Sequence, residues 1–403
     1  MIKYYKTKNP ADCCGCKACE QICAHKAISF HVDDEGFWYP SVNEDNCVQC
    51  GLCEKVCPME EADKVLNSKG KAYAFQLSDK EHLLNSSSGG VFYAVASTIL
   101  KENGVVYGAA FEGKLVKHKR VDGSEDLLDL MGSKYVQSDT GDTYLQVKQD
   151  LKNGRKVFYT GTPCQIAGLI LFLRKEYDNL LTADLVCHGT PSPEILADTI
   201  SHIEDRLSAH VKSYLFRDKR VGGWSCSSSS SYEKGNKQIY LKYSKEMEAY
   251  FNAFISGHLM RMSCYQCPFA RIERPGDITI ADYWGVKKLH PEFPDISKGM
   301  SIYISNSKKG SDMLTKLFAN NFVQEVDLQQ AAEKNHNLKA PTPYPKEREK
   351  SYLLFFNDYN GFLKKYYKGN IIKDSIKANL IYIIRSNEWL FNMVSKLSHV
   401  IKK

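Results

Sequence analysis

An α/β core (mixed α+β), led by a small cysteine-dense module and followed by a helical tail, is the fold class this 403-residue sequence predicts. Three observations carry it. Nine of the fourteen cysteines lie at or before Cys57. From Lys71 onward, short β-prone runs alternate with helical ones, as when helices cover a sheet. From Ile371 to the C-terminus, apolar side chains recur at three- and four-residue steps. Hydrophobic residues make up 43% and charged residues 25%, which excludes a disordered, collagen-like or coiled-coil chain. No apolar run approaches a membrane span, and Met1–Lys6 lacks the apolar segment of a signal peptide, so a cytoplasmic location is expected.

In the reducing cytosol, so many thiols point to metal or redox chemistry rather than disulfides. Two runs repeat one spacing: Cys13-x2-Cys16-x2-Cys19-x3-Cys23 and Cys47-x2-Cys50-x2-Cys53-x3-Cys57. Two-residue gaps let a tight loop wrap three thiolates round one 4Fe–4S cube, and the three-residue gap sends the fourth to the other cube. This assigns Cys13, Cys16, Cys19 and Cys57 to one cluster, and Cys47, Cys50, Cys53 and Cys23 to a second. Pro58 follows the last cysteine, whereas Ala24 stands at the equivalent place in the first run. A zinc module is the alternative, but tetrahedral zinc has little use for the third cysteine of each run. Residues 8–60 resemble the two-cluster bacterial ferredoxins, with strands expected near 27–30 and 36–40 around an Asp33-Asp34-Glu35 turn.

Residues 61–70 are polar and read as a linker. Strands follow at 72–75, 104–111, 156–159 and 180–186, with a helix at 91–101 and another that follows Gly161-Thr162-Pro163-Cys164-Gln165 and runs through Leu173. A hairpin is expected at 226–232 and 238–243 around Gly235-Asn236. Ser86-Ser87-Ser88-Gly89-Gly90 precedes a helix, where hydroxyl caps and free N–H groups suit an anion, although serines cap many helices that bind nothing. Gly132-Ser133-Lys134-Tyr135 reads as a second ligand loop or as a solvated turn. The remaining cysteine elements, Cys164, Cys187 and the pair Cys264-x2-Cys267, supply four thiolates, the ligand count of a third 4Fe–4S cluster or of a structural zinc. Spacing does not separate these, and Cys164 and Cys187 also suit plain core packing. Cys14 and Cys226 have no role in this scheme.

Seven motifs in order then make the core resemble the coenzyme F420 hydrogenase/dehydrogenase beta-subunit family over about residues 71–306. They are Ser-Ser-Ser-Gly-Gly-Val-Phe (86–92), Gly-Ser-Lys-Tyr-Val-Gln-Ser (132–138), Gly-Thr-Pro-Cys-Gln (161–165), Cys-His-Gly (187–189), Phe-Arg-Asp-Lys-Arg (216–220), Ser-Cys-Tyr-Gln-Cys (263–267) and Asp-Ile-Thr-Ile-Ala-Asp-Tyr-Trp-Gly (277–285). The fused ferredoxin module and Asn335-His336-Asn337-Leu338 are similar to the bacterial branch, often associated with polysaccharide biosynthesis. The resemblance implies an iron–sulfur flavoprotein oxidoreductase. It implies FAD, with contacts from Ser86, Ser87, Ser88, Gly89, Gly90, Gly132, Ser133, Lys134, Tyr135, Gly161 and Thr162. It also implies a third cluster on Cys164, Cys187, Cys264 and Cys267, and proton carriers among His188, Lys134 and Asp282. Whether F420 itself is the acceptor stays open. The implied partners are ferredoxin or another electron-transfer protein and a small-molecule or coenzyme substrate; the alternative is a subunit without its own substrate that wires a partner enzyme to the ferredoxin pool. The expected division is 1–60 (ferredoxin), 71–145 (flavin-binding half), 146–310 (second half with the third cluster) and 311–403 (helical, basic).

Residues 346–403 hold 12 basic and 5 acidic side chains, the whole of the net charge of +7. A basic excess confined to a tail argues against a nucleic-acid partner. The stripe of Ile372, Ile376, Leu380, Ile383, Leu390, Val394, Leu397 and Ile401 predicts a helix that packs on its own core or lies on an anionic membrane surface.

Overall fold

The computed structural model describes residues 2–387, 390, 391, 393 and 394. The N-terminal module contains one antiparallel hairpin, β1 (Ile28–Val32) and β2 (Trp38–Val42), where the sequence places it. Residues 61–70 are more than a linker. Val65 is buried, and the Asn67 side chain donates to the carbonyls of Arg274, Pro275 and Gly276, so the segment is stitched to the core.

The core is built on an eight-stranded mixed sheet. Its members are β3 (Lys71–Leu77), β4 (Val105–Glu112), β5 (Leu115–Val121), β6 (Val157–Gly161), β7 (Leu180–Leu185), then β11 (Ile278–Asp282), β12 (Ser301–Ser305) and β13 (Asn321–Val326). Between β7 and β11 a separate antiparallel meander forms from β8 (His210–Leu215), β9 (Ser229–Lys234) and β10 (Lys237–Leu241). The large sheet runs β13-β3-β12-β11-β7-β6-β4-β5, with β4, β6, β7 and β11 mutually parallel and antiparallel strands on both flanks.

Strand periodicity explains why both faces are covered. Along β6, Phe158 packs against Phe92 of the helix Val91–Lys101, while its neighbours Val157 and Tyr159 join Tyr144, Ile166 and Phe172 on the opposite face. Burying a ring such as Phe158 contributes about 2–3 kcal/mol. Open α/β sheets bind ligands beyond the carboxyl ends of parallel strands. Here those ends lead into Gly161-Thr162, Cys187-His188 and Asp282.

The expected divisions at 145/146 and 310 do not coincide with structural boundaries. One sheet takes strands from both sides of each, because β3, the first strand of the core, pairs with β12 and β13, the last two. In the tail, Ile371–Ser386 is helical, but the stripe does not pack inward. The helix docks through Asp374, Ala378, Asn379 and Tyr382 against the β10 region, leaving Ile372 71% exposed with Ile376, Leu380 and Ile383 beside it. Leu397 and Ile401 lie outside the described residues. Among the described residues, no helix is long and apolar enough to cross a membrane.

Candidate functional site

The N-terminal cysteines form two quartets, each around its own void. Cys13, Cys16, Cys19 and Cys57 line one; Cys23, Cys47, Cys50 and Cys53 line the other. The backbone turns that achieve this use left-handed residues between cysteines: Gly15, Lys17 and Gly51. Only a glycine suits position 15, because a Cβ there would collide with the Gln137 side chain. Cys19 packs with Ile2 and Ile28, and Cys23 and Cys53 pack against the same cluster, so the two quartets are neighbours. Cys50 is exposed.

The module is clamped to the core. The fully buried Arg261 guanidinium donates to the Cys13 carbonyl (2.7 Å), the Trp38 carbonyl (2.8 Å) and Gln137 Oε1 (3.1 Å), and stacks over Tyr39. Thr140 Oγ1 donates to the Cys16 carbonyl, and the Tyr144 N–H donates to Gln21 Oε1. Arg348 forms two 2.6 Å bonds with Glu35 at the ferredoxin turn. A bidentate arginine–carboxylate pair fixes geometry as well as charge.

A third set of cysteines converges from distant segments. Cys164 sits in the first turn of Pro163–Leu173, whose N-terminus is closed by a Thr162/Gln165 capping box. Cys187 follows β7, and Cys264 and Cys267 lie in and just after the short turn that follows Arg261. All four line one void together with Cys14 and Met59. Burial pushes the Cys187 and Cys264 thiols up, and lifts Cys267 to about 12. Such thiols become stable thiolates when bound metal offsets the desolvation. Tetrahedral zinc would draw its sulfurs to about 4 Å apart, given a Zn–S bond of about 2.3 Å. Among the described residues, no three His, Cys, Asp or Glu side chains close on a point suited to a single ion. The four thiols line this space from three separate segments of the chain.

Next to this void lies a cavity of about 280 Å³, and Cys187, Thr162 and Gln165 belong to the wall between them. Apolar side chains such as Leu130, Met131 and Phe254 form much of its lining, and Lys134 and the Arg217–Asp282 pair belong to it as well. That mixture suits a flat aromatic cofactor with an anionic end. Gly90, with φ 87°, is the N-cap of Val91–Lys101 and offers no side chain, so the first-turn N–H groups stay open at the cavity.

Ser86, Ser87, Ser88, Gly90, Gly132, Ser133, Lys134, Tyr135, Gly161 and Thr162 all line this cavity; Gly89 does not. A Cβ on Gly89 would strike the Phe75 carbonyl, and its N–H bonds Ser301 Oγ at 2.7 Å, so its place is strand packing. The three serine hydroxyls are also spent within the chain: Ser86 and Ser88 donate to the His82 and Met300 carbonyls, and Ser87 accepts from Ser133 N–H. The last bond joins the two predicted loops. Of the expected proton carriers, Asp282 is held by Arg217 (2.5 and 3.0 Å) and by Trp224 Nε1 (2.7 Å). The His188 ring bonds the Ile255 carbonyl and faces Thr342, and burial holds its pKa down. Lys134 is cradled by the Asp129 and Met131 carbonyls, and burial draws it down to about 7.

Sequence reasoning missed Arg261, Arg217 as a cavity cation, and Lys219, whose ammonium bonds the Leu83 and Ser88 carbonyls at 2.6 Å each. Arg217 and Lys219 stand in a quoted motif, which is the signal that could have found them. Arg261 has no such signal.

Two neighbouring cysteine quartets fixed against an α/β core define an iron–sulfur electron-transfer protein. Residues 12–60 match the 4Fe-4S dicluster domain, and residues 154–331 match the C-terminal part of the coenzyme F420 hydrogenase/dehydrogenase beta-subunit family. Both matches agree with the resemblance read from the sequence, one over the two cysteine runs and the other over the later part of the core. Among solved structures, it is similar to a chain of the F420-reducing [NiFe] hydrogenase complex from Methanosarcina barkeri. That likeness has 17% identity, covers 68% of this chain and 90% of that one, and has a TM-score of 0.42, too low to carry an argument. No curated protein matches.

Proposed function

We propose that the chain is an iron–sulfur flavoprotein oxidoreductase, carrying electrons between ferredoxin-type clusters and a flavin that exchanges two electrons with a small molecule or coenzyme. Bound clusters supply one-electron steps and a bound flavin supplies hydride chemistry. One observation carries the reading: the cysteine-lined voids and the cavity form a series. The exposed Cys50 marks the outer end, Cys19 packs between the first two voids, Cys14 borders the second and third, and Cys187 borders the third void and the cavity.

In this reading Cys13, Cys16, Cys19 and Cys57 hold one cluster, Cys23, Cys47, Cys50 and Cys53 the second, and Cys164, Cys187, Cys264 and Cys267 the third. The open N–H groups after Gly90, with Arg217, take the flavin's phosphates. Lys134 is the proton carrier, since an ammonium drawn to about 7 exchanges its proton readily at neutral pH. His188 and Asp282 hold the wall in place. Iron and acid-labile sulfide in anaerobically purified protein test the assignment: about twelve of each per chain is expected, and about eight removes the third cluster. Flavin absorbance is expected alongside. Reduction of a small molecule by dithionite-charged protein without a partner supports an enzyme; reduction only with a partner present makes it an electron-transfer subunit.

The exposed ridge of Ile372, Ile376, Leu380 and Ile383, flanked by Lys373 and Lys377 in a tail that holds the whole net charge, supports contact with an anionic lipid surface. Co-sedimentation with phosphatidylglycerol vesicles but not phosphatidylcholine vesicles is expected, and its loss in Ile376→Glu. Equal recovery in the supernatant with both vesicles overturns this contact.

A further inference from the structure

Against the serine loop of the cavity packs a buried lysine that is not itself part of the cavity lining. Lys219 opens the short helix Lys219–Gly222 and is 3% exposed. Its Nζ donates to the Leu83 and Ser88 carbonyls, at 2.6 Å each. The residue before it is fixed from the meander. Asp218 accepts from Ser229 Oγ and Tyr240 OH, at 2.7 Å each, and from the Arg220 N–H. Lys219 therefore reaches the loop from a rigid base. Its neighbour Arg217 differs, since that side chain does line the cavity.

The bond to Ser88 decides which way the loop's peptides face. In a trans peptide the C=O points opposite to the next N–H. With the Ser88 carbonyl turned to Lys219, the Gly89 N–H turns the other way and meets Ser301 Oγ at 2.7 Å. The Gly89 carbonyl in turn accepts from the Leu77 N–H of β3 at 2.8 Å. That bond turns the Gly90 N–H away from β3, and Gly90 lines the cavity whereas Leu77 does not. The loop thus offers N–H groups to the cavity while its carbonyls are spent elsewhere. Without Lys219, the Ser88 carbonyl loses its charged donor, and its peptide can swing the oxygen toward the cavity, where it would repel an anion.

We propose that Lys219 is the positioning residue for the cofactor's phosphate end. It touches no ligand and holds the Ser88 peptide so that the loop and the first turn of Val91–Lys101 present N–H groups to an anion. This rests on the reading of the cavity as a flavin site. The consequence is selectivity for FAD over riboflavin, because riboflavin lacks the phosphates that meet these N–H groups.

The test titrates flavin-free, iron-loaded, full-length protein with FAD and with riboflavin, in wild type, Lys219→Met, Lys219→Ala and Lys219→Arg. Iron content is measured in each. Lys219→Met and Lys219→Ala are expected to keep the wild-type iron count. Both should weaken FAD binding by about tenfold and leave riboflavin binding within about twofold of wild type. Lys219→Arg, which keeps N–H donors, is expected to bring FAD affinity back toward wild type. Equal weakening of both flavins makes Lys219 a general support of the cavity and overturns the proposal, as does unchanged FAD affinity in Lys219→Met and Lys219→Ala. Failure of both variants to accumulate as iron-loaded protein overturns it too, making Lys219 a support of the whole fold. Wild type that binds neither flavin overturns instead the flavin reading on which the proposal rests.

Discussion

The ferredoxin module and the core gather their cysteines by opposite means. In the module, eight of the nine thiols from Cys13 to Cys57 are grouped into quartets by local turns, and left-handed positions such as Gly15 and Gly51 set the geometry. In the core, Cys164, Cys187, Cys264 and Cys267 are brought together only because β6, β7 and β11 lie side by side. Local grouping costs little loop entropy, whereas grouping from Cys164 to Cys267 depends on the whole sheet. The core quartet is therefore the more fragile of the two, and the contacts that brace it are where the contrast can be broken.

The largest effect is expected at Asp184. Its carboxylate accepts from Arg274 Nε and Nη2 and from the Gly276 N–H, all buried, and ties the segment after Cys267 to β7. Asp184→Ala strands the guanidinium and should cost about 3–5 kcal/mol in chemical unfolding. On the proposed third-cluster reading, iron should be lost from the core before the module. Equal loss from both would erase the contrast. Arg261→Met comes next, leaving three acceptors without their donor, for about 3 kcal/mol. Limited proteolysis should then release the module from a core that stays folded.

His118 gives a pH-dependent handle on the core alone. It bonds the Thr160 carbonyl and Ser138, and burial lowers its pKa from 6.5 to about 4. The unfolded chain takes up a proton below about pH 6.5 and the folded chain does not until about pH 4. Stability is therefore full above that range and falls as pH drops through it, by at most about 3 kcal/mol. Urea midpoints measured from about pH 7.5 to about pH 4.5 should show the slope, and His118→Asn should flatten it. The smallest effect belongs to Lys17–Asp139, an ion pair at the edge of the junction. Lys17→Ala should change the unfolding free energy by less than about 1 kcal/mol. A larger loss would mean that the module leans on this pair more than on Arg261.

The same contrast governs what can be read from the sequence. The module is legible because its chemistry is written in consecutive spacing. The core's strands at 72–75, 104–111, 156–159 and 180–186 are legible as β-prone runs. The pairing of β12 and β13 is not, since their partner β3 lies at the opposite end of the core in sequence. The four core cysteines stand out as leftover thiols, and only the resemblance joins them. In sequence, Arg261, Arg274 and Arg348 look like ordinary surface cations. Their burial follows from carbonyls and carboxylates that only the folded chain assembles. The tail stripe foretells its helix but not its outward face, because Tyr382 and Asn379 supply the docking contacts in place of the stripe.

The Arg261 clamp also says how the molecule can be handled in time. An N-terminal module on a tether would have to diffuse to its contact, and its internal kinetics would slow in glycerol or sucrose. Here the guanidinium reaches across to the Cys13 and Trp38 carbonyls, so the two parts ride as one rigid piece. Thickening the solvent should slow arrival of an outside donor and leave the rate inside the molecule untouched.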